Sequence, residues 1–336
     1  MRQTDSPTEL LELVRRNFNR MFSLPGEAGI ELLKNSENVT FTVQSQAERG
    51  VLRVNRPMYH TTEELLAELQ WMEQIHLEGK LAIAKVYCGR NGSPLQTFFS
   101  PNSGIEYRCS LFSYLPGEVM RRLHEGELAE KMQEIGAIAA RLHEQVQRCP
   151  RLKKLNRPVW DYGSLLGENA CWGSWREYPG LTQKDRKLFQ AAADIIRSRL
   201  SVYGKASDRY GLIHSDLHSS NVIINRNQLQ IIDFDDCGYG WFLYDLGCSV
   251  VEYSGHLEEL TQAWLRGYQK IRRLSPVDLA EAPTFVLLRR IVRLAWLSSH
   301  SQSDTAREVG PEYLEKTREM AGEYIVRSTQ GESKVC

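Results

Sequence analysis

The sequence predicts an α+β protein with two lobes: a small N-terminal lobe built on an antiparallel sheet and a larger, mainly helical C-terminal lobe. Short apolar runs separated by polar turns dominate the first 115 residues, whereas apolar residues at helical spacing dominate the rest. Leu115-Pro116-Gly117, between the two patterns, is typical of a hinge. We therefore expect an N-terminal lobe over residues 1–115 and a C-terminal lobe over residues 116–336.

The N-terminal lobe begins with a predicted amphipathic helix over residues 6–22, because Ser6-Pro7 is a helix start signal. Polar turns separate five strand patterns, and a helix that opens at Thr61 follows the third of them. The first three strands are close enough in sequence to pair as an antiparallel meander. We therefore predict a five-stranded antiparallel sheet with one inserted helix, its strands covering 30–33, 39–43, 50–54, 82–88 and 107–114.

The C-terminal lobe has four long stretches of helical periodicity, over residues 118–149, 184–202, 256–273 and 276–300. Short strand patterns interrupt it once, at 212–214, 222–224 and 229–234. Short strands in an otherwise helical lobe indicate loops that carry function.

Composition narrows the class of protein. The 336 residues carry 42 Lys plus Arg against 42 Asp plus Glu, so no global charge favours nucleic acid or an anionic membrane. The seven cysteines are scattered and never form CxxC, which argues against a disulfide framework and a zinc knuckle. No signal peptide or membrane span is evident. We expect a cytoplasmic protein without nucleic-acid or membrane partners.

The densest group of polar residues lies in two segments, His214 to Asn221 and Ile231 to Asp236. A hairpin between them would bring Asp216, Asn221 and Asp233 to one rim. Two carboxylates and an amide oxygen suit Mg²⁺, which keeps several waters and completes its shell with substrate phosphates.

This set of residues fits phosphoryl transfer, which needs a metal to neutralise charge and a carboxylate to orient the attacking hydroxyl. We expect Asp216 to be that carboxylate, and Asn221 and Asp233 to hold the metal. His214 is expected to organise the loop without titrating in the reaction.

The string H-x-D-x-x-x-x-N followed by I-D-F-D resembles the catalytic and metal-binding loops of the aminoglycoside phosphotransferase and choline kinase-like family, relatives of protein kinases. The resemblance extends to residues 35–41, 51–57 and 64–69 and to the segment 238–246. It implies a two-lobed, protein-kinase-like fold with ATP and Mg²⁺ as cofactors.

Roles carried over by this resemblance make Asp216 the catalytic base, and Asn221 and Asp233 the metal ligands. Arg53 corresponds to the cation that touches the nucleotide phosphates, with Glu68 as its helix partner and Glu64 as the alternative.

Further roles follow in the same way. Ser36 and Asn38 lie in the nucleotide-loop hairpin and are expected to bind the cofactor. The adenine is expected against backbone near residues 110–114, and Asp245 corresponds to a buried aspartate that braces the catalytic loop.

The chain departs from the family pattern in several places. Arginine stands at position 53, where many kinases use lysine, but it stays charged and can grip phosphate. Ser215 and Ser220 replace residues that are usually glycine, which bears on the dihedral angles of the loop. The hairpin loop 34–38 has no glycine, and no Walker A string occurs.

The resemblance thus implies a kinase that moves the γ-phosphate of ATP to a hydroxyl of a small molecule. Aminoglycosides, homoserine-like amino alcohols, choline-like amines and sugars all stay open as acceptors. A Ser/Thr protein kinase of the bacterial stress-response type and a catalytically silent nucleotide-binding pseudokinase are the alternatives. The sequence leaves open ATP against GTP, and monomer against homodimer.

Other polar residues have plainer interpretations. Loop-stabilising hydrogen bonds explain His218 and Asp236 as well as function does. Asp235, Asp236 and Glu252 would tolerate a cationic acceptor. Three arginines of the 276–300 helix are predicted to form a solvated face, namely Arg289, Arg290 and Arg293.

Overall fold

The computed structural model describes residues 4–120, 125–301, 306, 309 and 311–332. Contacts divide the chain into two compact units. The first unit comprises residues 1–118, 155–157 and 223–235, and the second comprises residues 119–154, 158–222 and 236–336. The predicted α+β class is confirmed, since the first unit is built on an antiparallel sheet and the second is mainly helical.

The first unit opens with the predicted helix, whose start is fixed by local hydrogen bonds. Ser6 caps the helix through the backbone N–H of Glu9, and the Glu9 carboxylate accepts from the backbone N–H of Ser6. Thr61 and Glu64 make the same reciprocal cap on the second helix. The elements of this part are α1 (Pro7–Met21), β1 (Gly29–Asn35), β2 (Val39–Gln44), β3 (Arg49–Val54) and α2 (Thr62–Glu78).

The main sheet has six strands in the described part of the chain, one more than predicted. Its order is β1-β2-β3-β7-β5, with β6 paired to β7, and β1 to β3 form the predicted antiparallel meander. The predicted strand over 82–88 is split into two short strands. The remaining strands of this part are β4 (Ala82–Ile83), β5 (Val86–Tyr87), β6 (Gln96–Ser100) and β7 (Ile105–Ser113).

Strand β6 was not predicted, because most of its inward-facing side chains are polar. Gln96, Phe98 and Ser100 are buried, whereas Thr97 and Phe99 are exposed. Two of the three inward-facing residues are polar, and Ser100 donates to the carboxylate of Asp5. The alternation of period two is therefore present in the structure but hidden from a hydrophobicity pattern.

A parallel strand pair explains why the I-D-F-D segment belongs to the first unit. Strand β12 pairs with β4, with Gln230 opposite Ala82 and Ile231 opposite Ile83. Phe234 then packs edge-on against Trp71 of α2, with ring centroids 5.4 Å apart. Strand β4 belongs to a four-stranded sheet with the order β4-β12-β11-β8. Its other strands are β8 (Glu118–Val119), β11 (Val222–Asn225) and β12 (Gln228–Ile231).

The second unit is dominated by helices. Its helices are α3 (Glu125–Arg148), α4 (Tyr162–Leu166), α5 (Gln183–Tyr203), α6 (Tyr244–Val250), α7 (Leu257–Gln269), α8 (Pro276–Ser299) and α9 (Pro311–Glu332). A small sheet of β9 (Val159–Trp160), β10 (Tyr210–Ile213) and β13 (Gly238–Trp241) has the order β10-β13-β9. The helix predicted over 118–149 begins instead at Glu125, and residues 121–124 lie outside the described part.

Helices α3 and α7 cross in very close contact. A Cβ on Gly136 would lie 2.1 Å from the carbonyl oxygen of Trp264, and one on Gly267 would lie 1.7 Å from that of Gln133. Real Cβ atoms do not approach backbone oxygens this closely, so both positions require glycine at this helix spacing.

Six cysteines are free thiols in the described part, and Cys336 lies outside it. In the described residues, no helix combines the length and the apolar character that a bilayer crossing requires.

Candidate active site

Arg53 and Glu68 form a buried ion pair in the first unit. Strand β3 turns Arg53 inward, where it is 6% exposed, and α2 presents Glu68 with no exposure. Nη1 donates to Oε1 at 2.8 Å and Nη2 to Oε2 at 2.6 Å. Burial opposes the charge on Arg53, but the neighbouring carboxylates of Glu68, Asp235 and Asp233 outweigh it and raise the pKa of the guanidinium.

Glu64, the alternative partner of Arg53, contacts the start of α2 instead. Its carboxylate accepts from the backbone N–H of Thr61 as part of the cap on α2 and lies 3.3 Å from Nδ1 of His60. The helix position of Glu68 is therefore the one that meets β3.

Two further carboxylates approach Arg53 from the I-D-F-D segment. Nη1 of Arg53 lies 3.8 Å from Oδ1 of Asp233 and 3.8 Å from Oδ1 of Asp235. The Asp235 side chain is nearly buried, whereas that of Asp233 is 47% exposed. Asp233 also has a positive φ of 63°, a strained conformation for a residue other than glycine. Of the two, Asp233 is the carboxylate that solvent and ligands can reach.

Asn38 links the β1–β2 hairpin to this cluster. Its Nδ2 donates to Oδ2 of Asp235 at 2.9 Å, and its Oδ1 accepts from the backbone N–H of Arg56 at 2.9 Å. Both ends of the buried Asn38 amide are thus used inside the protein. Ser36, in the same turn, is exposed, and its backbone N–H donates to the carbonyl of Asn38 at 3.1 Å.

In the second unit, Asp245 holds the loop that follows β10. Its Oδ2 accepts from the backbone N–H of His214 at 3.2 Å, and its Oδ1 from that of Ser215 at 2.7 Å. Nε2 of His143 lies 2.9 Å from Oδ2. Burial lowers the pKa of His143, so a neutral ring donates to Asp245 and accepts from the hydroxyl of Tyr268 at Nδ1. The bracing contact predicted for Asp245 is present.

Ser215 occupies a position that favours glycine. Its φ is 63°, in the left-handed region, which explains why related loops use glycine there. The hydroxyl donates to the carbonyl of Asp236, so the serine contributes a contact that glycine lacks.

Asp216 follows at the tip of this loop, and three groups contact its carboxylate. Nδ2 of Asn221 donates to Oδ2 at 2.9 Å, and Nε2 of His218 lies 3.2 Å from the same oxygen. Nη2 of Arg289 donates to Oδ1 at 2.8 Å. Burial favours the neutral acid, but the charges of His218 and Arg289 outweigh it and lower the pKa of Asp216, which is therefore ionised.

This chain is similar to known proteins over most of its length. A family model described as "Phosphotransferase enzyme family" matches residues 29–278, which include Arg53, Asp216 and Asp233. The chain belongs to this family. The expected resemblance to aminoglycoside phosphotransferases, the kinase-like fold and the enzyme class, a phosphotransferase, are thereby confirmed.

Individual kinases are similar to this chain over most of its length. The amicoumacin kinase of Bacillus subtilis (strain 168) is 24% identical over 302 residues, 85% of this chain and 84% of its own. The structure of a microcompartment-associated aminopropanol kinase is 30% identical, with a TM-score of 0.78, and covers 96% of this chain and 98% of its own. An amicoumacin kinase in complex with AMP-PNP, Ca²⁺ and Ami has a TM-score of 0.72 at 19% identity, with 96% and 94% covered.

One expectation for this phosphotransferase is wrong. The arginines of α8 do not form a solvated face. Arg290 is fully buried and donates to Thr317 Oγ1 and to the carbonyls of Val251 and Tyr313. The side chains of Arg289 and Arg293 are each only 12% exposed and pair with Asp216 and Glu252. The reason is that α8 packs nearly all its faces into the helical unit, so no broad solvated face exists.

Glu252 is the second carboxylate of this cluster, after Asp216. It accepts from the hydroxyl of Ser219 at 2.7 Å and pairs with Nη2 of Arg293 at 3.1 Å. It also lies 3.6 Å from Nδ1 of His218. Burial opposes the charge on His218, but Asp216 and Glu252 raise the pKa of its ring to about 10. The His218 imidazolium therefore connects the two carboxylates.

The residues proposed for the metal differ in their surroundings. Nδ2 of Asn221 is turned towards Asp216, which directs its carbonyl oxygen away from that carboxylate. Among the described residues, no group of three or more His, Cys, Asp or Glu side chains is placed to hold a metal ion.

Proposed function

We propose that this phosphotransferase is an ATP- and Mg²⁺-dependent kinase that transfers the γ-phosphate to a hydroxyl of a small molecule. The observation that carries the proposal is the Asp216 carboxylate, fixed by a hydrogen bond of 2.9 Å from Asn221 in the loop that resembles the catalytic loop of kinases. Family membership supports the reaction class. Solved members of this fold bound to AMP-PNP or to ADP support ATP as the donor.

The chemistry requires few covalent roles from the protein. The acceptor oxygen bonds to the γ-phosphorus, and the bond from that phosphorus to the β–γ bridging oxygen breaks with its electron pair on ADP. Asp216 orients the acceptor hydroxyl and takes up its proton. Arg53, held by Glu68, is proposed to face the phosphates with the donors that Glu68 leaves free, and Ser36 to contact them from the hairpin. We propose Asn38 as an indirect contributor that fixes this hairpin.

Asn221 and Asp233 are the proposed Mg²⁺ ligands. The donor chemistry fits, because the Asn221 amide oxygen is turned away from Asp216 and the Asp233 carboxylate is half exposed. When bound, Mg²⁺ neutralises phosphate charge during transfer.

The location and assembly of the protein are predicted from its sequence. The division at residue 115, a cytoplasmic location and a monomeric or homodimeric state stay predictions from the sequence. Small-molecule acceptors are favoured because the related proteins are named as kinases of amicoumacin, aminopropanol and hydroxylysine.

Nucleotide binding and turnover separate this proposal from its alternatives. We expect ATP with Mg²⁺ to raise the unfolding temperature, and Asp216→Asn to lower transfer about 100- to 10,000-fold while the nucleotide shift persists. Asp208→Asn is the matched control, because the side chain of Asp208 is exposed and pairs with its neighbour Arg209. A nucleotide shift without transfer to any acceptor indicates the silent pseudokinase, and transfer to protein alone indicates the protein kinase. The absence of any shift contradicts the proposal.

A further inference from the structure

The carboxylate of Asp216 already makes three side-chain contacts in this structure. Asn221 and His218 contact Oδ2, and Arg289 holds Oδ1 with a hydrogen bond of 2.8 Å. An acceptor hydroxyl must donate to one of these oxygens if Asp216 is to orient it. Asn221 is fixed on the same loop, so Arg289, which reaches Asp216 from α8, is the contact that an acceptor can replace.

Arg289 is not fully satisfied in its present position. Its Nη1 makes a long contact of 3.3 Å to the hydroxyl of Tyr244. Its Nε is buried and has no hydrogen-bond partner in the described part of the chain. The rings of Trp172 and Tyr244 flank the guanidinium at 5.5 Å and 5.8 Å from their centroids, so aromatic contacts hold it beside Asp216. A planar guanidinium of this kind binds a carboxylate with two parallel hydrogen bonds.

The charges around Asp216 do not favour an ammonium group. Arg289 matches Asp216, and Arg293, one turn further along α8, matches Glu252. Neither carboxylate is left without a cation. The sequence suggested that Glu252 would tolerate a cationic acceptor, and in the structure Arg293 already matches its charge.

From these contacts we infer that the acceptor carries a carboxylate close to its hydroxyl, and that Arg289 binds this carboxylate. On binding, the guanidinium exchanges Oδ1 of Asp216 for the carboxylate of the acceptor, which leaves both lone pairs of Oδ1 to the acceptor hydroxyl. Arg289 is thus a specificity-determining residue that couples recognition of the acid to release of the base. The inference rests on the proposed kinase function and names its substrate class, hydroxy acids.

Matched pairs of acceptors that differ only in the carboxylate test this directly. Threonine is compared with 1-amino-2-propanol, homoserine with 3-amino-1-propanol, and serine with ethanolamine, each with ATP and Mg²⁺ and with ADP release as the readout. We expect the acid to have the higher kcat/KM in at least one pair, by about tenfold or more.

Two variants assign that preference to Arg289. Arg289→Met is expected to lower the kcat/KM ratio of the preferred pair about 100-fold, and Arg289→Lys to restore part of it. Arg293→Met is the control, because Arg293 lies on the same helix but pairs with Glu252, and it should keep the ratio. Both members of a pair are measured on one preparation, so the ratio does not depend on the folded fraction.

The outcomes separate this inference from the proposed function. Faster transfer to the carboxylate-free member of every pair overturns the inference alone. So does an Arg289→Met variant that slows both members equally, because Arg289 then only supports Asp216. If none of the six compounds accepts phosphate while ATP hydrolysis still depends on Asp216, the inference fails and the kinase stands. The absence of both nucleotide binding and turnover overturns both.

Discussion

The guanidinium of Arg53 and the carboxylate of Glu68 meet through two hydrogen bonds, of 2.8 and 2.6 Å, and both side chains are buried. Arginine suits this place better than lysine, because its planar fork matches a carboxylate with two parallel bonds. The same pairing commits two of its nitrogens, so the phosphate contact proposed for Arg53 would use its remaining donors.

Breaking the Arg53–Glu68 pair is expected to lower the stability of the fold strongly. Glu68→Gln leaves a buried guanidinium without its main counter-charge, and we expect it to lower the free energy of unfolding by about 3–5 kcal/mol. Urea unfolding measures the change. Glu63→Gln on the same helix is the control, since Glu63 is exposed, and should change stability by less than about 0.5 kcal/mol. Equal effects of the two variants would contradict a structural role for the pair.

Three hydrogen-bond donors contact the carboxylate of Asp245. Backbone N–H groups of His214 and Ser215 and Nε2 of His143 all point at its carboxylate. Asp245→Asn places an NH₂ group against at least one of these donors, and we expect a loss of about 3–5 kcal/mol in stability. The measurement is urea unfolding, with Asp208→Asn as the exposed control. A variant as stable as the wild type would show that the loop does not depend on this brace.

The crossing of α3 and α7 predicts opposite effects of one substitution at two helical glycines. Gly136→Ala forces a methyl group onto the carbonyl of Trp264 and should lower stability by more than about 3 kcal/mol. Gly322→Ala, in α9, meets nothing within 4 Å and should raise stability by about 0.5–1 kcal/mol. Thermal unfolding of both variants checks the signs. A tolerated Gly136→Ala would mean that the helices separate easily.

Low pH should weaken the ion pair that joins Asp185 of α5 to Arg318 of α9. Arg318 donates to both oxygens of Asp185, at 2.7 and 2.9 Å, and these hydrogen bonds lower the pKa of the carboxyl. Because the folded pKa is depressed, the contribution is complete above the unfolded pKa of about 4 and is lost as pH falls through the folded value.

The corresponding test compares unfolding temperatures across pH. The difference between the wild type and Asp185→Asn should be largest near pH 7 and should shrink below about pH 4. Asp194→Asn, on the same helix, removes a carboxylate that is largely exposed and should show little difference at any pH. A difference that does not vary with pH would rule out the ionised pair as its source.

Local signals predicted much of the fold and part of the site. The caps at Ser6 and Thr61 and the alternation in β1 to β3 are local, and the structure has them. The pairing of Arg53 with Glu68 followed from the family resemblance. The roles of Asp216, Asn221 and Asp233 in catalysis stay predictions.

Sequence patterns could not identify side-chain partners that lie far apart in the chain. The carboxylate that holds Arg289 lies 73 residues earlier in the chain, and spacing within a helix says nothing of such a partner. One signal was available: a helix as apolar as α8 is buried on most of its faces, and buried arginines require acceptors. The same reasoning applied to Glu252 would have suggested a cation beside it.

The contact of α3 and α7 at Gly136 and Gly267 leaves no layer of side chains that could repack between the two backbones. The helices must therefore open together or not at all, and their amide hydrogens should exchange with solvent as one cooperative unit. His143 lies on α3 and contacts Asp245, so the support that Asp245 gives to the loop after β10 should persist for as long as that unit stays closed.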